Sequence, residues 1–207
     1  MPEIRVLCVY DHGLMRAGLV HIVGQQPDIK VVAEASDGEE AVEQFRRHRP
    51  DVTLMGLQLP RMNGLQAIRA IRRGEPNARV VVMTLHHGDE DIYRALQAGA
   101  AGYLRKDTVP EDLVRAIRDV HDGKRAIPPD VEAAMVVRAS QPTLTQREFQ
   151  VLQALSTGKR NKEIAADLGI SSDTARAHIK SIFIKFNVHD RTAALAEALR
   201  RGMIQIG

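Results

Sequence analysis

Three side chains that could do chemistry each follow a short apolar run of this chain. Asp11 follows residues 4–9, Thr84 follows residues 80–83 and Lys106 follows residues 102–104. A carboxylate such as that of Asp11 can ligate Mg²⁺, which usually takes at least one or two carboxylates besides phosphate oxygens. Asp11 alone supplies a single carboxylate, so an ion pair between Asp11 and Lys106 is the alternative interpretation of the same residues.

The elements that must position these side chains alternate between strand and helix patterns in residues 1–121. Apolar runs typical of buried parallel strands occupy residues 4–9, 31–35, 52–57, 80–83 and 102–104. Helical patterns occupy residues 14–23, 39–47, 65–72, 91–97 and 111–120. This alternation predicts an α/β fold with a doubly wound, five-stranded parallel sheet. The working site of such a sheet lies beyond the carboxyl ends of its strands, here at Tyr10, Asp11, Gly56, Thr84 and Lys106.

The last third of the chain has the spacing of an all-α helix-turn-helix domain. Thr145 and Glu148 form a capping-box pattern at the start of one helix, and Gly158 ends it. A short second helix leads to a tight turn at residues 169–171, and Ser171 or Ser172 caps a third helix that runs to about Phe186. Such a third helix has the size of a recognition helix for the major groove of DNA.

The third helix has one apolar face and one basic face. The inward face is formed by Ala175, Ile179, Ile182 and Phe186, which recur at helical spacing. Arg176 and Lys180 lie on a different, outward face with Ala177 beside them. By charge alone, a helical bundle with a solvated basic face would be the simpler interpretation.

The spacing of the motifs favours DNA binding instead. The segments Leu-Thr-x-Arg-Glu from Leu144, Asn-Lys-Glu-Ile-Ala from Asn161 and Leu-Gly-Ile-Ser from Leu168, with Thr174 and His178, closely resemble the DNA-binding domain of the LuxR/FixJ (NarL) family. The resemblance implies base contacts by Arg176, Ala177 and Lys180. Asn161, Lys162 and Lys185 are the candidates for phosphate contacts, which position a protein on DNA without specifying sequence. It also implies a homodimer that pairs through the last helix, roughly residues 192–201.

The N-terminal part resembles the receiver domain of two-component response regulators. The resemblance rests on Pro50-Asp51-Val52, on Pro-x-Met-Asn-Gly at residues 60–64 and on the segment from Ala98 to Lys106. In that family, paired acidic residues after the first strand hold Mg²⁺, and an Asp ending the third strand accepts a phosphoryl group. A Thr or Ser and a Lys bind the phosphoryl oxygens, and an aromatic residue rotates inward. The matching residues present here are Asp11, Thr84, Lys106 and Tyr103.

Two positions depart from the receiver pattern. Tyr10 replaces the first acidic residue, and Gly56 stands where the acceptor Asp is expected. Glycine has no nucleophile, and phosphoryl transfer depends on tight positioning, which also argues against Asp11 as a substitute acceptor on another strand. We therefore expect a vestigial or repurposed pocket made of Tyr10, Asp11, Gly56, Thr84, Tyr103 and Lys106, in which Tyr10 fills the space of the metal and carboxylate. No catalytic residue, resident metal or other cofactor is predicted.

Composition and charge agree with this assignment. The net charge is +3, and residues 143–207 hold ten Lys and Arg against six Asp and Glu, whereas the remainder is nearly neutral. This asymmetry places binding of a polyanion in the C-terminal part. One Cys, no cleavable leader pattern and no apolar run of about 20 residues favour a cytoplasmic protein without membrane contact.

The sequence thus predicts a receiver-like domain at residues 1–121, a linker with a short helix at 122–142 and a DNA-binding domain at 143–207. The favoured function is that of a non-enzymatic transcriptional regulator that binds double-stranded DNA as a homodimer without aspartyl phosphorylation. A partner protein at the receiver domain is a further expectation. The alternatives are a conventional phosphorylation switch and a decoy that heterodimerises with a related regulator or binds a kinase without acting on DNA.

Overall fold

The five predicted strands form one parallel sheet. A computed structural model describes residues 3–84, 89–105, 107–139 and 142–204. The strands are β1 (Ile4–Val9), β2 (Ile29–Ala35), β3 (Val52–Gly56), β4 (Val80–Thr84) and β5 (Gly102–Arg105). Their order across the sheet is β2-β1-β3-β4-β5, so the winding direction reverses between β1 and β3. Ligand sites of doubly wound sheets lie at this switch point, and the predicted fold class is confirmed.

Five helices alternate with the strands. They are α1 (Gly13–Gly24), α2 (Gly38–His48), α3 (Gly64–Gly74), α4 (Asp89–Gln97) and α5 (Pro110–His121). Local chemistry fixes several of their starts. The Asp37 carboxylate accepts hydrogen bonds from the backbone N–H groups of Glu39 and Glu40, and Asn63 forms a capping box with Gln66.

The sheet is buried on both faces, as its continuous apolar strands predict. Every residue of β3 is buried. One side of the core brings β1, β3 and β4 together with α1 and α5, through buried residues that include Cys8, Leu19 and Ile117. Burial, together with the nearby Glu34 carboxylate, raises the pKa of the Cys8 thiol to about 12, and Cys8 packs as a small apolar residue of the core.

The chain divides into two compact units, residues 1–87 with 92–132, and residues 88–91 with 133–207. The predicted domain limits at residues 121 and 142 lie on either side of the division after residue 132. The second unit holds α7 (Gln146–Ser156), α8 (Asn161–Leu168), α9 (Ser172–Phe186) and α10 (Arg191–Arg200), and α6 (Pro129–Ala139) spans the division. No helix formed by the described residues has the length and hydrophobicity of a membrane span.

The second unit has its own aliphatic core. It includes Val151, Leu152 and Leu155 of α7, Ile164 of α8, and Ile182 of α9. The predicted capping box of α7 is present, since Thr145 and Glu148 bond reciprocally. Ser171 caps α9 by accepting a hydrogen bond from the Thr174 N–H. Gly169 ends α8 in the left-handed conformation, at φ 63°, where a side chain would be strained.

Candidate functional site

The ring of Tyr10 lies against Gly56 at the carboxyl edge of the sheet. Tyr10 follows β1 and is 3% exposed, while Gly56 is the last residue of β3. A Cβ atom added to Gly56 would lie 3.2 Å and 3.3 Å from two carbon atoms of the Tyr10 ring. Such distances are tighter than nine in ten contacts that real Cβ atoms make. A side chain at position 56 would therefore require the Tyr10 ring to shift by a few tenths of an ångström.

The backbone of Tyr10 is held by two interactions. Its N–H donates to the Ala35 carbonyl at 3.0 Å, which continues the pairing of β1 with β2. The Arg16 guanidinium donates to the Tyr10 carbonyl at 2.6 Å and to the Glu34 carboxylate at 3.2 Å. Arg16 was not singled out from the sequence, because its contacts join α1 to β2 across a separation that no local pattern encodes.

The Pro-x-Met-Asn-Gly segment holds the loop after β3 in place. Asn63 caps α3, and the Gly64 N–H donates to the Leu57 carbonyl at 2.9 Å. A Cβ atom at Gly64 would collide with the Gly56 carbonyl oxygen, so glycine is required there by close backbone approach. The Met62 carbonyl also accepts a hydrogen bond from Gly38 at 3.1 Å. This motif therefore fixes the surroundings of Gly56, whatever chemistry occurs there.

The remaining predicted pocket residues are described to different extents. Asp11 is exposed beside Tyr10. Tyr103, in β5, is 1% exposed, so its ring occupies an inward position. Thr84 ends β4 and pairs with Arg105 through the backbone. Lys106 lies outside the described residues, so its predicted ion pair with Asp11 stays a prediction.

The residues at this edge do not fit the magnesium site that a receiver fold implies. Mg²⁺ needs several oxygen ligands in octahedral geometry. The aromatic ring of Tyr10 occupies the place beside Gly56, and Gly56 offers no carboxylate. Among the residues that the structure describes, no three His, Cys, Asp or Glu side chains gather into a group that could hold a metal ion.

In the second unit, α9 presents its predicted faces. Ala175, Ile179, Ile182 and Phe186 are buried. Arg176, Ala177 and Lys180 are exposed. The Arg176 side chain is 71% exposed and makes an exposed contact of 3.4 Å with Asp173, an ion pair of a kind that contributes little to stability. Its guanidinium is therefore available to a ligand.

Several of the predicted DNA contacts share one surface. Asn161 at the start of α8, and Arg176 and Lys180 of α9, line a single depression of about 500 Å³ together with Arg191. Lys162 is exposed on α8. Arg191 had not been predicted as a site residue; its guanidinium donates to the carbonyl groups of Leu155 and Lys159 at 2.9 Å and 3.0 Å. It ties α10 to the end of α7 and thereby supports the floor of this surface.

Lys185 has a different environment from the one predicted. Its ammonium group lies 2.6 Å from the Glu148 carboxylate, and the two side chains are 24% and 6% exposed. Ser181 also donates to Glu148, at 2.6 Å. Burial raises the pKa of Glu148, but the hydrogen bonds from Lys185, Ser181 and Thr145 outweigh it and lower the pKa to about 2. Lys185 thus joins α9 to α7, and a phosphate contact would require it to leave this bond.

Comparison with known proteins identifies both parts of the chain. The profile of the response regulator receiver domain matches residues 6–118. The profile described as bacterial regulatory proteins, luxR family, matches residues 142–198. These matches correspond to the parallel sheet with its helices and to the helix-turn-helix, respectively.

Similar proteins match over nearly the whole length. The uncharacterized transcriptional regulatory protein YxjL of Bacillus subtilis (strain 168) is 38% identical, covering 98% of both chains. The probable transcriptional regulatory protein NarL of Mycobacterium tuberculosis (strain ATCC 25618 / H37Rv) is 35% identical, covering 98% of this chain and 97% of that one. The crystal structure of the response regulator ChrA of a heme-sensing two component system is 36% identical, covers 99% of this chain and 100% of that chain, and has a TM-score of 0.58. This chain therefore belongs to the LuxR/NarL family of response regulators, which are DNA-binding transcriptional regulators.

Proposed function

We propose that this regulator binds its DNA sites as a homodimer and acts without phosphorylation of an aspartate. It has no enzymatic step of its own. The receiver unit serves as a dimerisation module and as a surface for a partner protein, and the helix-turn-helix unit reads double-stranded DNA.

The contact between Tyr10 and Gly56 carries this proposal. Phosphoryl transfer to a receiver needs a carboxylate at the end of β3 and a bound cation beside it. Gly56 supplies no carboxylate, and the ring of Tyr10, 3% exposed, takes up the adjoining space. Asp11 follows β1 and not β3. A phosphodonor aligned with the end of β3 would therefore not be in line with the Asp11 carboxylate, and phosphoryl transfer depends on such alignment.

The exposed face of α9 supports the DNA-reading role. Arg176, Ala177 and Lys180 are exposed in the way that a helix in the major groove requires. Asn161 and Lys162, at the start of α8, are suited to phosphate contacts that set the orientation of the unit. Lys185 is left out of the proposed interface because its ammonium group is held by Glu148 at 2.6 Å.

The experiment is a binding isotherm with purified full-length protein. Its DNA site is first obtained by selection from random duplexes, and affinity is then measured with and without acetyl phosphate and Mg²⁺. We expect specific binding of a dimer with the same affinity under both conditions. Binding that requires the donor would contradict the proposal. Binding that appears only after a related regulator is added would favour the decoy or heterodimer function instead.

A further inference from the structure

The first unit contains a cavity that is large enough for a small organic molecule. Its volume is about 650 Å³, and it lies between α1, α5 and the carboxyl ends of β1, β3 and β4. Pockets of about 300–1,000 Å³ are typical of sites for small ligands. Tyr10 forms part of its wall, so the cavity adjoins the contact between Tyr10 and Gly56.

We propose that this cavity binds a small amphipathic molecule with an apolar body and a positively charged end. The proposal goes beyond the DNA-binding function and does not depend on how that function is switched.

The inner wall of the cavity suits an apolar body. Leu19 of α1, Met83 of β4 and Leu113 of α5 are all at most 3% exposed and contribute to the lining. Leu14, in the first turn of α1, is 79% exposed at the same cavity. An apolar group that enters would be removed from water against these side chains, which is favourable in proportion to the area buried.

The polar side of the cavity suits a cation. Among the described residues that line it, Asp11 is the only Asp, Glu, Lys or Arg. Its carboxylate is exposed, next to the buried ring of Tyr10. A ligand with an ammonium group can thus place its charge against Asp11, where it would replace the predicted ion pair with Lys106, while its apolar part lies against α1 and α5. An anionic ligand of the same shape would meet like charge.

Gly18 allows the cavity to be filled without disturbing the fold. It lies on α1 and lines the cavity, and a Cβ atom added there would meet no atom within 4 Å. A side chain at this position therefore begins in open space, and replacing a helical glycine generally favours the helix. Gly24 is the matched control, because it also lies on α1 with open space at its Cβ but does not line the cavity.

The test uses two probes of equal size and opposite charge, phenylbutylamine and phenylbutyrate. Their binding to the full-length protein is measured by saturation-transfer NMR and by calorimetry at neutral pH. We expect the amine to bind the wild type and the Gly24→Leu variant alike, and to lose at least about tenfold in affinity for Gly18→Leu, since the inserted side chain occupies its place. Asp11→Asn should weaken the amine by about threefold, as expected for an exposed charge pair.

The outcomes that overturn the proposal are distinct. Amine binding that is unchanged in Gly18→Leu would place the probe elsewhere on the protein. Acid and amine binding with equal affinity to the wild type would remove the assigned ligand chemistry. Absence of amine binding to the wild type would also overturn the proposal. If sedimentation then showed that the dimer dissociates in Gly18→Leu but not in Gly24→Leu, a second copy of the chain would be what covers the cavity.

Discussion

At the scale of single residues, Tyr10 and Gly56 act as one unit. The ring of Tyr10 lies 3.2 Å from the place of a Cβ atom on Gly56, although the two residues are far apart in sequence. The order of strands in a parallel sheet places the ends of β1 and β3 side by side, and this made the pairing predictable. The distance between ring and backbone was not predictable, because it depends on the rotamer of Tyr10 and on its anchoring by Arg16.

We expect the substitution Gly56→Ala to lower the free energy of unfolding by about 1–3 kcal/mol, because the added methyl group overpacks against the ring. In a Tyr10→Ala background the same substitution should cost much less. A double-mutant cycle in urea measures this coupling. Equal costs in the two backgrounds would mean that the ring is not what opposes a side chain at position 56.

A second residue-scale prediction concerns phosphorylation. Incubated with acetyl phosphate and Mg²⁺, the wild type and Gly56→Asp should show no added phosphoryl group by intact mass spectrometry. The first has no nucleophile at this position, and the second still has the ring of Tyr10 in place of a metal-binding carboxylate. The double variant Tyr10→Asp/Gly56→Asp is the positive control, in which a phosphoryl group should appear. A phosphorylated Asp11 in the wild type would contradict the prediction directly.

At the scale of elements, the buried face of α9 was predicted, whereas the ion pair that Lys185 makes at its end was not. The buried positions Ala175, Ile179, Ile182 and Phe186 follow from helical spacing alone, and the structure confirms them. Lys185 was predicted only as a candidate for a phosphate contact, and in the structure its ammonium group lies 2.6 Å from the Glu148 carboxylate. Its partner Glu148 belongs to α7 and had been assigned only a capping role. Contacts between helices depend on their packing, which periodicity within one helix does not report.

We expect Arg176→Ala to lose preference for the selected DNA site, at a cost of about 1–3 kcal/mol if Arg176 reads a base. Lys162→Ala should instead weaken all sequences alike and reduce the dependence of affinity on salt. Isotherms at several salt concentrations separate the two effects. Arg69→Ala is the control, since Arg69 is exposed on α3 in the other unit. If Arg176→Ala binds like this control, Arg176 of α9 does not read the DNA.

The bond between α7 and α9 predicts sensitivity to acid. The pKa of Glu148 is lowered from 4.5 to about 2 in the folded protein. The ionised Glu148 carboxylate therefore stabilises the folded state above pH 4.5, and this contribution is lost as the pH falls towards 2. The loss amounts to at most about 3 kcal/mol for the second unit. In Glu148→Gln this part of the pH dependence should disappear. The free energy of unfolding in urea is measured between pH 6 and pH 3 for the wild type and for Glu148→Gln. The same dependence of this free energy on pH in both proteins would contradict the lowered pKa of Glu148.

At the scale of the whole molecule, each unit has a core of its own. The core of the second unit extends from Val151 to Ile204, so a chain of residues 143–207 retains all of its buried members. The sequence predicted both units because strand-helix alternation and helical spacing are local signals. The sequence could not define where the first unit ends, because the boundary between the two compact units falls inside α6, where the helical pattern continues without a break.

We therefore expect residues 143–207 alone to fold and to select the same DNA sequence as the full chain. Its affinity should be lower by at least about tenfold, because dimerisation through the receiver unit adds avidity on a two-fold site. Circular dichroism checks the fold, and isotherms on one half-site and on the full site measure the loss. A fragment that equals the full chain on the full site would show that the receiver unit contributes no pairing.

Under the proposed function, the ring of Tyr10 against Gly56 also restricts how aspartyl phosphorylation could arise at this edge of the sheet by mutation. The Cβ atom of an aspartate introduced first at position 56 would lie 3.2 Å from the ring, and Tyr10 would still stand in place of one of the two acidic residues of the receiver pattern. A small residue introduced first at position 10 removes a side chain that is 3% exposed and leaves a void, which commonly costs about 3–5 kcal/mol for a large aromatic residue. Either single substitution is therefore expected to lower stability without creating a complete phosphorylation site. A functional phosphorylation site at this position would therefore require substitution of both Tyr10 and Gly56.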